Sequence, residues 1–386
     1  MNHKRKSLFI LIVVSLFLTG CWNQTEPERL LYVHGLGIDY KDGEFHVYVQ
    51  IIDFASTAKL SQPAHSRAQS EVGHGTGKTM DEAIFKLYNS VDRRVYWGHL
   101  SYIVFSENAL DGGAVNSVMD SFIRYRDTRY EVQLYGTNDS VKNVLLTTPI
   151  INTAITLSKL GDPRSSYVQN SFIHPTTMRT MIIGLDEPGH DMTIPYVTIK
   201  ENWESVEQKS QVADLAGFGI LTPKEFKGFI THDKARGLQW MSNKSKRIEV
   251  SLKSGENEKN RQSLIINGVK TKVKPKVQGS EVTFAIDVSF DIVVASVQGK
   301  TTYGKLIKEV EDQVEKEIRE TYDEGLKLNA DVYRLSEYLY RKDVKSWKRL
   351  QKEGKVELSE ESIDSINVHV RRVKSGRKSL TENYGP

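Results

Sequence analysis

Apolar and polar positions alternate longest between residues 282 and 294, where Val282, Phe284, Ile286, Val288, Phe290, Ile292 and Val294 recur at every second place. A period of two puts these side chains on one side of a strand, so one face of an antiparallel sheet is buried here. Strand character covers 246–298, with turns expected at Asn267-Gly268 and at Gly279. After Gly299 the period lengthens: Leu306, Val310, Val314, Ile318 and Tyr322 predict a long amphipathic helix. A second helical stretch follows at 330–351, and Ile366, Val368 and Val370 alternate as a final strand.

Nearer the start, the β-rich runs 31–39 and 44–53 are joined by Tyr40-Lys41-Asp42-Gly43. An Asp-Gly pair tolerates positive φ, which predicts a hairpin. Residues 55–78, rich in Ser, Ala, Gly and Gln, read as a long mobile loop. Thr79-Met80-Asp81-Glu82 is a capping box opening a helix that carries Ile84, Leu87, Tyr88 and Val91 at helical spacing. Further helices are expected at 113–125, 140–161 and 175–185, and strands at 100–105, 130–135, 194–199 and 214–221. Thr222-Pro223-Lys224-Glu225 reads as a helix start with Pro near its first position, and 232–241 as a short helix. The polar stretch at 200–210 reads as a linker, so the main boundary is placed there: a region 21–200, a linker 201–213, a domain 214–373 and a basic, polar tail 374–386.

The apolar stretch at 8–18 stands apart from these patterns. Lys4, Arg5 and Lys6 precede it, and Leu18-Thr19-Gly20-Cys21 closes it. That is a secretion signal, and its run of about eleven apolar residues falls short of the roughly 20 that a spanning helix needs. Small residues before the cysteine resemble the bacterial lipobox, in which the thiol is joined to diacylglycerol and cleavage makes Cys21 the acylated N-terminus. Thr19 and Gly20 leave the scissile backbone uncrowded, and only cysteine supplies a thiolate. Two chains hold where one dissociates, because each buried methylene contributes about 0.8 kcal/mol. Residues 1–20 are thus expected to be cut off and Cys21 to carry a diacylglycerol and an N-acyl chain.

Removing that leader takes three positive charges from a total of 53 Lys and Arg against 49 Asp and Glu, leaving the mature chain near +1. So balanced a chain has no global field for phosphate backbones, which makes nucleic acid a poor partner. Cys21 is the one cysteine, so no internal disulfide can form. A mature length of 366 residues suits two or three domains.

Candidate chemistry is sparse. Asp39, Asp42 and Glu44 lack the ligand spacing of a calcium loop, which leaves turn chemistry. In the run 73–79, Gly-His-Gly-Thr-Gly-Lys-Thr, a phosphate loop would need glycine where Val72 stands. His99 has neither a nucleophile-elbow serine nor a second histidine at metal spacing, so a structural, hydrogen-bonded role is expected. Arg124, Arg126, Asp127, Arg129 and Glu131 read as surface ion pairs. No catalytic, cofactor-binding or metal-binding residue is assigned.

The order of motifs is similar to the Ger(x)C family, the lipoprotein C subunits of bacterial spore germinant receptors. The resemblance rests on Cys21-Trp22-Asn23, Glu26 and Gly35-Leu36-Gly37-Ile38-Asp39, then Gly98-His99-Leu100, the 124–130 region, Phe218-Gly219-Ile220, Ala330-Asp331-Val332-Tyr333 and Trp347. It spans nearly the whole mature chain. Departures at Pro27 and at Asp53-Phe54 mark a divergent branch. What the resemblance implies is a multi-domain α+β ectodomain of largely antiparallel sheets packed with helices. It would be tethered to the outer face of the membrane that becomes the spore inner membrane and would act without catalysis beside A and B subunits. A solute-binding or accessory envelope lipoprotein serving a transporter is the alternative reading.

Overall fold

The computed structural model describes residues 29–52, 70–124, 129–189, 191–206, 209–253, 261–299 and 301–375. Leu18 to Cys21, most of the expected 55–78 loop and the tail beyond residue 375 lie outside them.

The first sheet contains β1 (Leu30–Lys41), β2 (Glu44–Ile52), β3 (Ser70–Gly77), β4 (Arg94–Tyr96), β5 (Tyr102–Ser106), β6 (Gln133–Thr137), β7 (Met192–Glu204), β8 (Lys209–Leu221) and β9 (Phe226–Thr231). Its order is β3-β2-β1-β5-β6-β7-β8-β9, with β4 beside β1. The Asp42-Gly43 turn joins β1 to β2 with both residues at positive φ, as the hairpin signal requires. Helices α1 (Met80–Tyr88), α2 (Glu107–Asp111), α3 (Ala114–Arg124), α4 (Val141–Leu145), α5 (Arg164–Gln169) and α6 (Met178–Asp186) accompany this sheet.

Every residue of β5 is buried, because its alternate side chains enter different cores. Ile103 and Phe105 pack with α1, α2, α3 and α6, whereas Tyr102 and Val104 pack with Val141, Val144 and Leu145 of α4. A sheet covered on both faces suits parallel pairing, and β1, β5, β6 and β7 run parallel at its centre.

The second sheet is β10 (Arg247–Lys253), β11 (Arg261–Gln278), β12 (Glu281–Val297) and, after the β13 (Gln351–Lys352) and β14 (Lys355–Val356) hairpin, β15 (Ile363–Lys374) parallel to β12. Helix α7 (Tyr303–Lys327), opened by its Thr302 cap, buries Leu306, Val310, Val314 and Ile318 against the inward side chains of this sheet. Helices α8 (Leu335–Lys342) and α9 (Val344–Leu350) complete that layer. Phe218, Ile220 and Ile230 of the first sheet belong to the same cluster, so the core runs continuously from one sheet to the other. The result is an antiparallel-rich α+β, multi-domain fold.

Several local expectations are corrected. Residues 201–213 are largely strand, because β7 and β8 pair as a long hairpin out to Glu204 and Lys209 and the polar residues are its exposed side chains. Ser70–Gly77 is strand β3, paired along β2. The helix expected over 140–161 stops at Leu145, and Pro149, which has no N–H to donate, is followed by single turns at Ile150–Asn152 and Ile155–Leu157. Thr222-Pro223-Lys224-Glu225 is the turn between β8 and β9, closed by Thr222 Oγ1 accepting from Lys224 N and Glu225 N, and no helix starts there. Asn267-Gly268 is a bulge inside one long strand, with Gly268 at φ 62°, while Gly279 does turn the chain between β11 and β12.

Candidate functional site

Leu18, Thr19, Gly20 and Cys21, expected to form a lipobox, fall outside the described residues, so the site is built from the body that follows them. Its ionisable groups gather at three buried places.

The first ties the two sheets together. Asp191, at the entry to β7, is 2% exposed, and its Oδ2 accepts from Asp331 N at 2.7 Å and from Lys355 Nζ at 2.9 Å. Asp331 in turn accepts from Leu335 N and Ser336 N, which caps the start of α8. Ser336 Oγ then accepts from Trp347 Nε1 and Val356 N. Burial pushes the Asp331 carboxyl up to about 6, and the Asp191 charge adds to that while the two backbone N–H groups oppose it.

The second surrounds Glu317 of α7, 3% exposed. Its Oε1 accepts from Arg236 Nε at 2.8 Å and Gln313 Nε2 at 3.0 Å, and its Oε2 from Trp240 Nε1 at 2.7 Å and Gln239 Nε2 at 3.3 Å. A buried carboxylate persists when its lone pairs are filled, and here four donors fill them. Gly237 lies against this hub, where a Cβ would stand 2.3 Å from the Tyr333 hydroxyl. Beside it an open groove of about 830 Å³ carries Lys200, Asp214, Arg236, Glu249 and Glu317.

The third lies under the first sheet. Gln50, fully buried, accepts from the Tyr102 hydroxyl at 2.7 Å and donates to Leu145 O at 2.6 Å. Nearby, His34 is buried with Nε2 unpartnered, and burial lowers its pKa to about 4.

The residues weighed from the sequence are held structurally. Asp39 turns inward; burial works to raise its carboxyl, but the Lys41 ammonium and the Ser106 hydroxyl outweigh that and leave it below the ordinary range. Glu44 pairs with Lys78. His99 sits between the rings of Tyr32 and Tyr96, at 5.2 and 5.9 Å, and partial burial with the Arg129 charge lowers its pKa. Arg124 pairs with Asp120 one turn back, whereas Arg126 and Asp127 lie outside the described residues.

The Gly73, Gly75 and Gly77 run is a packing device: Cβ atoms there would meet Leu87 Cδ1 at 2.8 Å, Ala83 O at 2.2 Å and Ala83 N at 2.6 Å. Helix α1 therefore lies directly on the strand backbone. Among the described residues, no group of three or more His, Cys, Asp or Glu is placed to hold a metal, and no helix is long and apolar enough to cross a membrane. Sequence reasoning passed over Asp191, Glu317 and His34 altogether, and the one available signal was the Ala330-Asp331-Val332-Tyr333 motif.

Comparison with known proteins agrees with this architecture along the chain. A family model described as the spore germination protein N-terminal domain matches residues 23–199, and one described as spore germination B3/GerAC like, C-terminal, matches 216–376. Spore germination protein KC of Bacillus subtilis (strain 168) is 23% identical over 376 residues, covering 89% of each chain. Spore germination protein B3 of the same organism is 22% identical over 326 residues, covering 81% of this chain and 83% of that one. The crystal structure of the GerBC protein superposes with a TM-score of 0.50 at 18% identity, over 90% of this chain and 99% of that one, and shows the shared fold.

Proposed function

The chain belongs to the GerAC family of spore germination proteins, and from that premise we propose that it is a lipid-anchored subunit of a spore nutrient germinant receptor that acts without catalysis. The observation that carries the reading is the pair of family domains in order over residues 23–199 and 216–376. The buried carboxylates support it, since Asp191, Asp331 and Glu317 spend their lone pairs on structural donors.

In this reading the Cys21 thiol carries diacylglycerol, its new amino group an acyl chain, and the body stands on the outer face of the cytoplasmic membrane that becomes the spore inner membrane. Its companions there are the A and B subunits, the latter polytopic. The chain's part is to hold an α+β surface beside them, so that nutrient detection leads to ion release.

Deletion in a sporulating strain, followed by germination assays across nutrients, tests this. Loss of the response to at least one nutrient, with co-purification of a polytopic membrane protein from detergent-solubilised spores, is expected. Normal responses to every nutrient, with no membrane protein co-purifying, overturns it.

A further inference from the structure

The outer face of the second sheet is uncovered, and its charge does not match that of the chain. Along β12 the even positions from Phe284 to Ile292 are buried, while the odd ones stay partly open to solvent. On β11 the bulge at Gly268 changes which parity faces outward, so Lys270, Lys272, Lys274 and Lys276 all stand exposed on that same side. The neighbouring β15 adds Arg371, Arg372 and Lys374. Opposing these seven on the same three strands are Glu281, Asp287, Asp291 and Asp364.

Asp287 pairs with Lys274 at 2.7 Å, and Asp291 with Arg371 and Arg372. Lys270, Lys276 and Lys374 have no carboxylate within ion-pair distance among the described residues. In a mature chain with nearly equal numbers of acids and bases, this is a segregated positive field.

The form of the field says what it fits. Three strands about 4.8 Å apart, with lysines about 7 Å apart along one of them, spread the positive charges over a broad surface. A single small anion is held by convergent donors, whereas these lysines are strung out along one strand. A surface carrying many negative charges engages several of them together.

We propose that this sheet face docks on the anionic phospholipid headgroups of the bilayer to which Cys21 tethers the chain. The proposal rests on the anchored reading above. The anchor fixes one point of the body, and the basic face fixes its orientation, which determines the side presented to membrane-embedded partners.

The test uses the chain from Trp22 onward, without lipid. Both sheets and all three cores lie between residues 29 and 375, so this form keeps the whole fold. Co-sedimentation is measured with phosphatidylcholine vesicles and with vesicles containing phosphatidylglycerol. Binding to the anionic vesicles alone is expected, weakening with salt because the screening length is only about 8 Å at 0.15 M.

A basic residue near such a surface contributes about fivefold in affinity, so Lys270→Gln with Lys272→Gln, Lys274→Gln and Lys276→Gln should weaken binding at least about tenfold. An equal-charge control, Lys316→Gln, Lys342→Gln, Lys345→Gln and Lys348→Gln on the helices, should weaken it far less. Circular dichroism must match the parent for both variants, and single Lys272→Glu replaces the quadruple variant if that one misfolds.

Equal binding to neutral vesicles, equal loss in the helix control, or tighter binding to duplex DNA than to anionic vesicles overturns the proposal. Aggregation of the quadruple variant with undiminished vesicle binding also overturns it, because the lysines would then only guard an exposed strand edge. Failure of lipidation at Cys21 is read separately, from the mass of the mature N-terminus.

Discussion

Asp331 donates its backbone N–H to the Asp191 carboxylate at 2.7 Å across 140 positions of sequence. One acceptor therefore holds the end of the α6–β7 connection to the turn before α8, and Lys355 closes the same oxygen from the β13–β14 hairpin. Because Asp191 leads directly into β7, this bond sets how the second sheet is carried by the first. Asp191→Ala should cost about 3–5 kcal/mol, since it leaves the Lys355 ammonium and a buried N–H without an acceptor. Urea unfolding checks it, and a loss below about 1 kcal/mol would show that the junction is held elsewhere.

Two deeply buried groups make opposed contributions to the pH dependence. Asp331, pushed up to about 6 by burial, keeps in the folded chain a proton that the unfolded chain has released. Its contribution is therefore full below about pH 4 and is lost as pH rises through about 6. His34, lowered to about 4 by burial, stays neutral in the folded chain while the unfolded chain takes up a proton. Its contribution is full above about pH 6.5 and is lost as pH falls. Relative to the parent, Asp331→Asn should then shift the slope of stability against pH between 4 and 6.5 upward, and His34→Leu should shift it downward. Unfolding at pH 4.5, 5.5 and 6.5 reads both slopes, and two variants that keep the parent's profile would refute the assignment.

Glu317 is the most heavily used carboxylate in the second core. Glu317→Ala strands Arg236 beside three uncharged polar groups and should cost about 3–5 kcal/mol. Glu317→Gln keeps one acceptor oxygen, so a loss nearer 1–3 kcal/mol is expected. Near-UV circular dichroism should report the change specifically, because Trp240 donates to this side chain and its ring lies 5.5 Å from that of Phe290. An Ala variant as stable as the parent would mean that water replaces the carboxylate.

The glycines of β3 separate steric from conformational need. Gly75→Ala places a Cβ 2.2 Å from Ala83 O, a backbone atom of α1, and overpacking of this kind costs about 1–3 kcal/mol. Gly43 has nothing within 4 Å of its Cβ position and sits at φ 75°, so Gly43→Ala should cost about 1 kcal/mol from backbone strain alone. Thermal melts should rank the two in that order, and the reverse ranking would show that α1 simply moves away.

These residues also show what the sequence made legible. Glycines at 73, 75 and 77 have the period of a strand, yet their composition reads as loop, because the partner that requires them is a helix whose contact leaves no mark in the strand itself. The second sheet and α7 were readable because each has one wet side, so burial is written as alternation or as a helical period. In the first sheet both faces are covered, and the five buried residues of β5 carry no period at all. Asp191 and Glu317 were invisible for another reason: a buried carboxylate satisfied by distant donors looks, in one dimension, like any surface acid.

The anchor yields to a direct chemical test. Cys21→Ala removes the thiolate on which diacylglycerol transfer depends, so the precursor should keep residues 1–20 and show no label when sporulating cells are fed a radioactive fatty acid. The retained apolar stretch of about eleven residues is too short to span a bilayer and should hold the chain only weakly. If two acyl chains hold the parent as proposed, alkaline carbonate washing should leave it in the membrane and release the variant. If the variant remains membrane-bound after the wash, or the parent never acquires the label, attachment does not run through Cys21 and must be sought in the protein body, where the basic face of β11 is the first surface to examine.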